Sequence, residues 1–289
     1  MRRWFRLHRL PLSPGGLILA VAVSLVVFGP SPGGDALAQK LNFGSGDSDQ
    51  PIEIFADKGI EWQQENLIFI ARGNARAVRG AVTVYADELR AYYREKADGG
   101  TDIWRLDANG KVRIKTQGET AYGDNAIYQV DKKILVLKGR KVRLVAGNDE
   151  ITANRQLEYW ENKQMAVARG NAFAVRENKR LSADVLAAYF RTDRKGENKL
   201  YRIDAFDRVK VVTDQNTATS NRGVYNVESG IATLTGAVKL VRGKNVLTGC
   251  SAEVNLNTGI SKIFSCPATT GGARKRAQGV LRLKKKNRN

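Results

Sequence analysis

Few side chains in this sequence can do covalent chemistry, and their spacing limits what that chemistry can be. The single histidine is His8. It lies among Arg2, Arg3, Arg6 and Arg9, ahead of an apolar run, where a removed export signal is expected. A mature chain without histidine has no Ser-His-Asp or Cys-His catalysis and no histidine metal ligand. Two cysteines are too few for a four-cysteine zinc site or an iron–sulfur cluster. Cys250 and Cys266 are symmetric about Thr258, within Leu256-Asn257-Thr258-Gly259-Ile260, a credible hairpin turn. They are expected to face each other across that hairpin and, in an oxidising compartment, to form a disulfide. A redox role is the rival, and no C-x-x-C motif supports it. No catalytic residue, metal or cofactor is expected.

Two further residue types recur with a period. Asp57, Asp87, Asp124, Asn154, Asp184 and Asn221 each follow a small residue or open a short unit, at spacings of 30, 37, 30, 30 and 37 residues. A ligand or metal role is one reading. Recurrence in every unit favours the other, a short polar side chain satisfying backbone at a strand bend. An aromatic follows each of them: Trp62, Tyr92, Tyr128, Tyr159, Tyr189 and Tyr225. Cross-strand packing explains these better than a binding box.

The elements that hold these residues are strands. All six prolines lie outside residues 52–266. Central strands exclude proline because it deletes a ladder hydrogen bond. From Trp104 to Lys115 the chain alternates. Trp104, Leu106, Ala108, Val112 and Ile114 fall on one face, and Arg105, Asp107, Asn109, Lys111, Arg113 and Lys115 on the other. Period 2 marks a strand with one wet face. Tyr201, Ile203, Ala205, Val209 and Val211 repeat the pattern. Self-similarity is stronger still. Ala71-Arg72-Gly73-Asn74-Ala75 returns as Ala168-Arg169-Gly170-Asn171-Ala172, and Trp104-Arg105-Leu106-Asp107-Ala108 as Tyr201-Arg202-Ile203-Asp204-Ala205, both offset by 97 residues. One extra residue after Gly139 in the first copy implies a bulge. The expectation is an all-β, elongated antiparallel β-sandwich or jelly roll of about fourteen strands, built from that duplication. Its open ends leave edge strands that invite strand addition.

The ends read differently. Leu17–Phe28 is apolar, Gly29-Pro30-Ser31-Pro32 breaks it, and Ala36-Leu37-Ala38 is an A-x-A cleavage site. Residues 1–38 are therefore expected to be a cleaved signal, with an uncleaved membrane anchor as the rival. The apolar run is shorter than the roughly 20 residues a spanning helix needs. Residues 39–51 form a linker, 52–266 the β domain, with copies at about 52–148 and 149–245 and a partial unit at 246–264. Residues 267–289 form a basic tail expected to be disordered. Of the net charge of +19, residues 1–38 carry +3 and the tail +8, which leaves only +8 on the folded part. Nucleic-acid binding is not expected.

The strand pattern Ala-Asp-x-Leu-x-x-Tyr-Tyr at 86–93, the Arg-Gly-Asn-Ala turn-backs at 72–75 and 169–172, and the export signal resemble the OstA-like (LptA) family of periplasmic lipopolysaccharide transport proteins. The resemblance covers about 52–264. The strict duplication, the cysteine pair and the basic tail depart from it. It implies an elongated, twisted antiparallel β-jelly roll whose interior carries the acyl chains of lipopolysaccharide (lipid A). It also implies head-to-tail self-association into a bridge, with an inner-membrane anchor protein and an outer-membrane translocon as partners. The apolar interior expected to meet the ligand comprises Trp104, Leu106, Val112, Ile114, Leu135, Leu137, Val142, Leu144, Ile203, Val209, Val211, Leu234, Val238 and Leu240. Arg72, Arg76, Arg113, Arg143, Arg169 and Lys210 are candidates for a basic rim. The alternatives are a membrane-anchored relative in the same system, a structural exported β-solenoid without ligand, and an exported glycan-cleaving enzyme. No unique acid cluster breaks the repeat to support the last.

Overall fold

A computed structural model describes residues 52–97, 99–194, 198–214, 216–255, 257–258, 260–267 and 276–282. The expected signal at 1–38 and nearly all of the expected linker at 39–51 lie outside the described residues. The strands run in chain order as β1 (Glu53–Phe55), β2 (Ile60–Gln63), β3 (Ile68–Arg79), β4 (Val82–Glu95), β5 (Thr101–Lys115) and β6 (Glu119–Gln129). Next come β7 (Ile134–Lys138), β8 (Val142–Ala146), β9 (Asp149–Ala153), β10 (Gln156–Trp160), β11 (Met165–Arg176) and β12 (Lys179–Thr192). The last six are β13 (Asn198–Val212), β14 (Asn216–Asn226), β15 (Ile231–Arg242), β16 (Asn245–Asn255), β17 (Ser261–Phe264) and β18 (Gln278–Val280). Among the described residues, no helix is long and apolar enough to cross a membrane.

Every pairing is antiparallel, and strands follow one another in a single ladder. Four rungs of that ladder are broken in two. β1 and β2 both pair with β3, β7 and β8 with β6, β9 and β10 with β11, and β17 and β18 with β16. Counted by rung, the 18 strands make the expected fourteen. The unbroken strands bend where the others break. Register shifts fall at Arg72/Ala75, Asn109/Val112, Arg169/Ala172, Phe206/Val209 and Thr235/Val238, all in mid-strand. Two consecutive residues take positive φ at each: Gly73 and Asn74, Gly110 and Lys111, Gly170 and Asn171, Asp207 and Arg208, Gly236 and Ala237. A left-handed pair turns the chain sharply, so these bulges form a spine along which the whole ladder is creased.

The crease divides the ladder into two leaves. One holds β1, β8, β9 and β18 with the strand halves that pair to them; the other holds β2, β7, β10 and β17 with the remaining halves. The facing apolar rows can be followed rung by rung. On the first leaf the row is Ile54, Ala77, Val84, Ile114, Ala121, Leu144, Ile151, Ala174, Leu181, Val211, Ala218, Leu240, Leu247, Gly279. On the second it is Ile60, Ala71, Leu89, Ala108, Ala126, Leu137, Leu157, Ala168, Leu186, Ala205, Gly223, Leu234, Ala252, Ile263. Neither row contains a polar side chain. Residues beside the spine are the most deeply buried, with Ala75, Val142, Ala153 and Ala172 at 0 % exposure. The core forms one cluster from Ala86 to Val209 and a second from Ala218 to Val254.

The outer faces carry the duplication into three dimensions. Arg105 makes a two-pronged pair with Asp107 and lies 5.3 Å above the Tyr92 ring; Arg202 does the same with Asp204 and lies 5.6 Å above Tyr189. Trp104 packs on Tyr92, and Tyr201 packs on Tyr189. On the first leaf, Phe55, Arg76, Tyr85, Arg113, Tyr122 and Arg143 stand side by side on successive rungs, with each guanidinium 4.1–5.6 Å from a ring. Cation–π stacking organises this face.

Three expectations need correction. The alternation places Trp104 inward with Leu106, but it is 38 % exposed. Tyr92 pairs with Arg105 and Tyr93 with Ile103, so Trp104 is the extra residue of a bulge and Ile103 takes its inward place. Most of the tail at 267–289, expected to lack order, lies outside the described residues, but Gln278–Val280 pair with Val246–Thr248 as β18, and the Arg282 amide donates to Asn245 Oδ1 at 2.8 Å. The cysteines are bonded, with Cα atoms 4.9 Å apart. They are not directly opposed, however. Ser251 pairs with Phe264, so Cys250 stands across from Ser265. The chain leaves the ladder after Phe264, which lets Cys266 turn back to Cys250.

Candidate functional site

Cavities lie between the leaves. One of about 340 Å³ opens near the first rungs and is lined by Ile54, Phe69, Val84, Leu89, Ile103, Leu106 and Ile114 among others. A second, of about 130 Å³, lies further along between Leu144, Ile151 and Leu181 on one leaf and Leu157, Leu186 and Ile203 on the other. Leu135 lines both, so the spaces adjoin. Small residues fall on the same rungs of both rows and leave room between the leaves: Ala77 with Ala71, Ala121 with Ala126, and Ala174 with Ala168.

Of the residues expected to line the interior, Leu106, Ile114, Leu135, Leu137, Leu144 and Ile203 border these cavities. Val112, Val142 and Val209 belong to the same core cluster but pack at the spine, 0–2 % exposed. Leu234, Val238 and Leu240, with Val211 against them, form the second cluster. Trp104 stands outside. Tyr93, Phe190 and Leu200 were missed. They lie beyond a second pair of bulges, at Trp104 and Tyr201 near the strand ends, where parity reverses, and only the register reveals them. Four of the six periodic aromatics, Trp62, Tyr128, Tyr159 and Tyr225, share one inward row of the second leaf, while Tyr92 and Tyr189 face outward.

Charge is arranged by depth. The candidate rim residues do not border the opening. Arg76, Arg113, Arg143 and Lys210 lie on the outer row of the first leaf, and Arg72 and Arg169 pair with Glu88 and Glu158 outside the second. The free lip of the first leaf, next to its hairpin turns, instead carries an inward polar row. Arg79, Glu119, Asp149, Arg176, Asn216 and Arg242 occupy it by register. Arg176 Nε donates to Asp149 at 2.7 Å, and this ion pair is nearly buried. Across the mouth, Tyr128 donates its hydroxyl to Glu161 Oε1 at 2.9 Å. Burial and the nearby Glu161 charge push the Tyr159 hydroxyl up to about 12. Glu119 is 6 % exposed, and burial alone raises its carboxyl to about 7. The periodic Asp and Asn side chains lie at the spine. Asp124 accepts from the Arg140 amide at 3.1 Å, and Asn74 donates to Asp57 at 2.7 Å. Among the described residues, no group of three or more His, Cys, Asp or Glu could hold a metal ion.

A trough with an apolar floor, a charged lip and a stacked outer face can hold aliphatic chains and leave their polar ends at the opening. An uncharacterized protein of Rhizobium meliloti (strain 1021) is 33% identical over 108 residues, covering 35% of this chain and 56% of that relative. The match thus spans about half the length of that relative. A crystal structure of LptH, the LptA-homologous periplasmic component of the lipopolysaccharide transport device of Pseudomonas aeruginosa, aligns with 81% of this chain and 96% of its own at 10% identity and a TM-score of 0.22. The ladder itself, not that superposition, defines the fold. The family described as LptA/(LptD N-terminal domain) LPS transport protein matches twice in succession, at residues 53–159 and 150–260, one match to each copy of the duplication. Those two spans take in most of the β ladder, and the chain belongs to the LptA/LptD N-terminal family of lipopolysaccharide transport proteins.

Proposed function

We propose that this chain is a periplasmic carrier that shelters the acyl chains of lipopolysaccharide between its leaves. It hands the lipid along a bridge from an inner-membrane anchor protein to an outer-membrane translocon. The observation that carries this reading is the pair of facing rows, fourteen rungs long, without a polar side chain. A CH₂ group left in water costs about 0.8 kcal/mol, so an exposed acyl chain needs apolar cover along its whole path. The lip arginines offer charge-assisted hydrogen bonds to phosphate at the opening.

Head-to-tail association is the natural way to lengthen the trough. Among the described residues, β1 and β2 leave their outer edges open at one end, with Phe55, Ile60 and Trp62 45–57% exposed. β17 and β18 do so at the other, with Phe264 and Val280 45–46% exposed. Open apolar edges favour strand addition. The test is photo-crosslinking in growing cells. A photoreactive phenylalanine analogue at Leu106 or Ile203 should capture lipopolysaccharide, and one at the outward Trp104 should not. Absence of capture at both inward positions would defeat the reading.

A further inference from the structure

Glu119 is the one lip residue among the described ones whose side chain nothing in the protein answers. It is more than nine-tenths buried and lines the smaller cavity. Its backbone is committed to Thr116 in the turn before β6. No described hydrogen-bond or ion-pair partner reaches its carboxyl, and burial disfavours its charged form. The other acids lining that cavity are engaged elsewhere, Glu158 of β10 with Arg169 of β11. On β9, Asp149 is held by Arg176 of β11. On the opposite leaf, Tyr159 feels the Glu119 charge, while Glu161 accepts from Tyr128. A polar group shut away from water without a partner costs up to about 1–3 kcal/mol, so a carboxyl with no protein partner facing a largely apolar cavity calls for one that arrives with the ligand.

Position says which partner. Glu119 stands one row above Ala121, on the leaf whose apolar row runs through Leu144 and Ile151. An alkyl chain lying in the cavity, with its polar end toward the opening, places its ester or amide carbonyl at this level. We propose that Glu119 is a specificity-determining residue that enters the cavity wall as a neutral carboxylic acid and donates a hydrogen bond to the carbonyl of an acyl ester or amide. This assignment rests on the acyl-chain reading of the trough and deepens it. Occupancy removes the last water from the carboxyl, so binding should take up a proton near neutral pH.

The test uses the whole mature chain and two fluorescent probes, a pyrene-labelled fatty acid methyl ester and the matching pyrene-labelled alkane. Neither probe titrates. Wild-type affinity for the ester should tighten about tenfold between pH 8.5 and pH 6, roughly one hydrogen bond's worth. Glu119→Gln keeps a donor of the same shape and should bind the ester without pH dependence. Glu119→Leu should lose about tenfold on the ester while binding the alkane at least as well as wild type. An unchanged ester-to-alkane ratio in Glu119→Leu, or a pH-flat wild type, overturns the assignment and leaves the trough reading standing. Failure of wild type to bind either probe removes the trough reading and the assignment together.

Discussion

Single side chains on this scaffold matter through what surrounds them. Glu119 and Glu158 are both nearly buried acids, yet they move in opposite directions. Glu158 accepts from Trp160 Nε1, Gln156 and Arg169, and these bonds outweigh its burial and hold its carboxyl below the usual range. Glu119 has only its burial, which raises it from 4.5 to about 7. The sign on stability follows. A raised acid keeps its proton in the folded state after the unfolded chain has released one, so folding loses stability as pH climbs from about 4.5 to about 7, then levels off. The full loss is about 3 kcal/mol at 1.36 kcal/mol per pH unit. We expect Glu119→Gln to match wild type at pH 4 and to exceed its unfolding free energy by up to that amount at pH 8. Urea titrations at the two pH values measure this directly. A constant difference across the range would mean that the carboxyl is not dehydrated. Glu158 acts at the other end, since its stabilisation is present above about 4.5 and is lost on acidification.

At the scale of elements, the crease is where the sequence speaks most specifically. Gly236 has φ +77°, and a Cβ there would approach Asn221 Cβ to 2.8 Å. Gly243 also has positive φ, +55°, but a Cβ there would meet nothing within 4 Å. Both pay the left-handed penalty of about 1 kcal/mol on gaining a side chain, and only Gly236 adds a clash with the neighbouring strand. Gly236→Ala should therefore cost about 2–3 kcal/mol and Gly243→Ala about 1, read from thermal melts. Equal costs would show that the bulge is not a close contact. This contrast also explains how far the sequence could be read. Alternation from Val112 to Lys115 and the 97-residue repeat are local or self-referential signals, and both carried through to the ladder. Trp104 misled because a bulge reverses parity, and a tryptophan continues an apolar pattern whichever way it faces. β18 left no trace because Gln278-Gly279-Val280 is too short to alternate. The broken rungs at Gly139–Lys141 and Asn154–Arg155 were legible only as an odd insertion and a spacing. The lip row could not be seen at all, since Glu119, Asp149 and Arg176 become neighbours only through pairings across β8 and β9.

At the scale of the molecule, the ladder is quasi-one-dimensional: each rung touches its neighbours, and the interior is split into two core clusters. Such arrays respond locally, because a perturbation at one end reaches the other only through successive interfaces. The disulfide sits at the last rungs, closing a loop with a sequence separation of 16 between β16 and the chain beyond β17. Loops of that length are stabilised by about 3 kcal/mol on cross-linking. Losing the bond should thus loosen the final rungs without unfolding the rest. In Cys250→Ser/Cys266→Ser, amide exchange should quicken in β16 and β17, while β5–β13, whose cluster includes Val112, Leu137 and Val209, should keep wild-type protection. Uniform acceleration along the chain would mean that the two clusters fold as one unit. Confined acceleration has a consequence for transport. The end carrying Phe264 and Val280 would then be the softer one, held by a covalent staple and by a three-residue strand borrowed from the basic tail. Of the two open edges, that one could exchange its last strands for those of an incoming chain at the smaller cost.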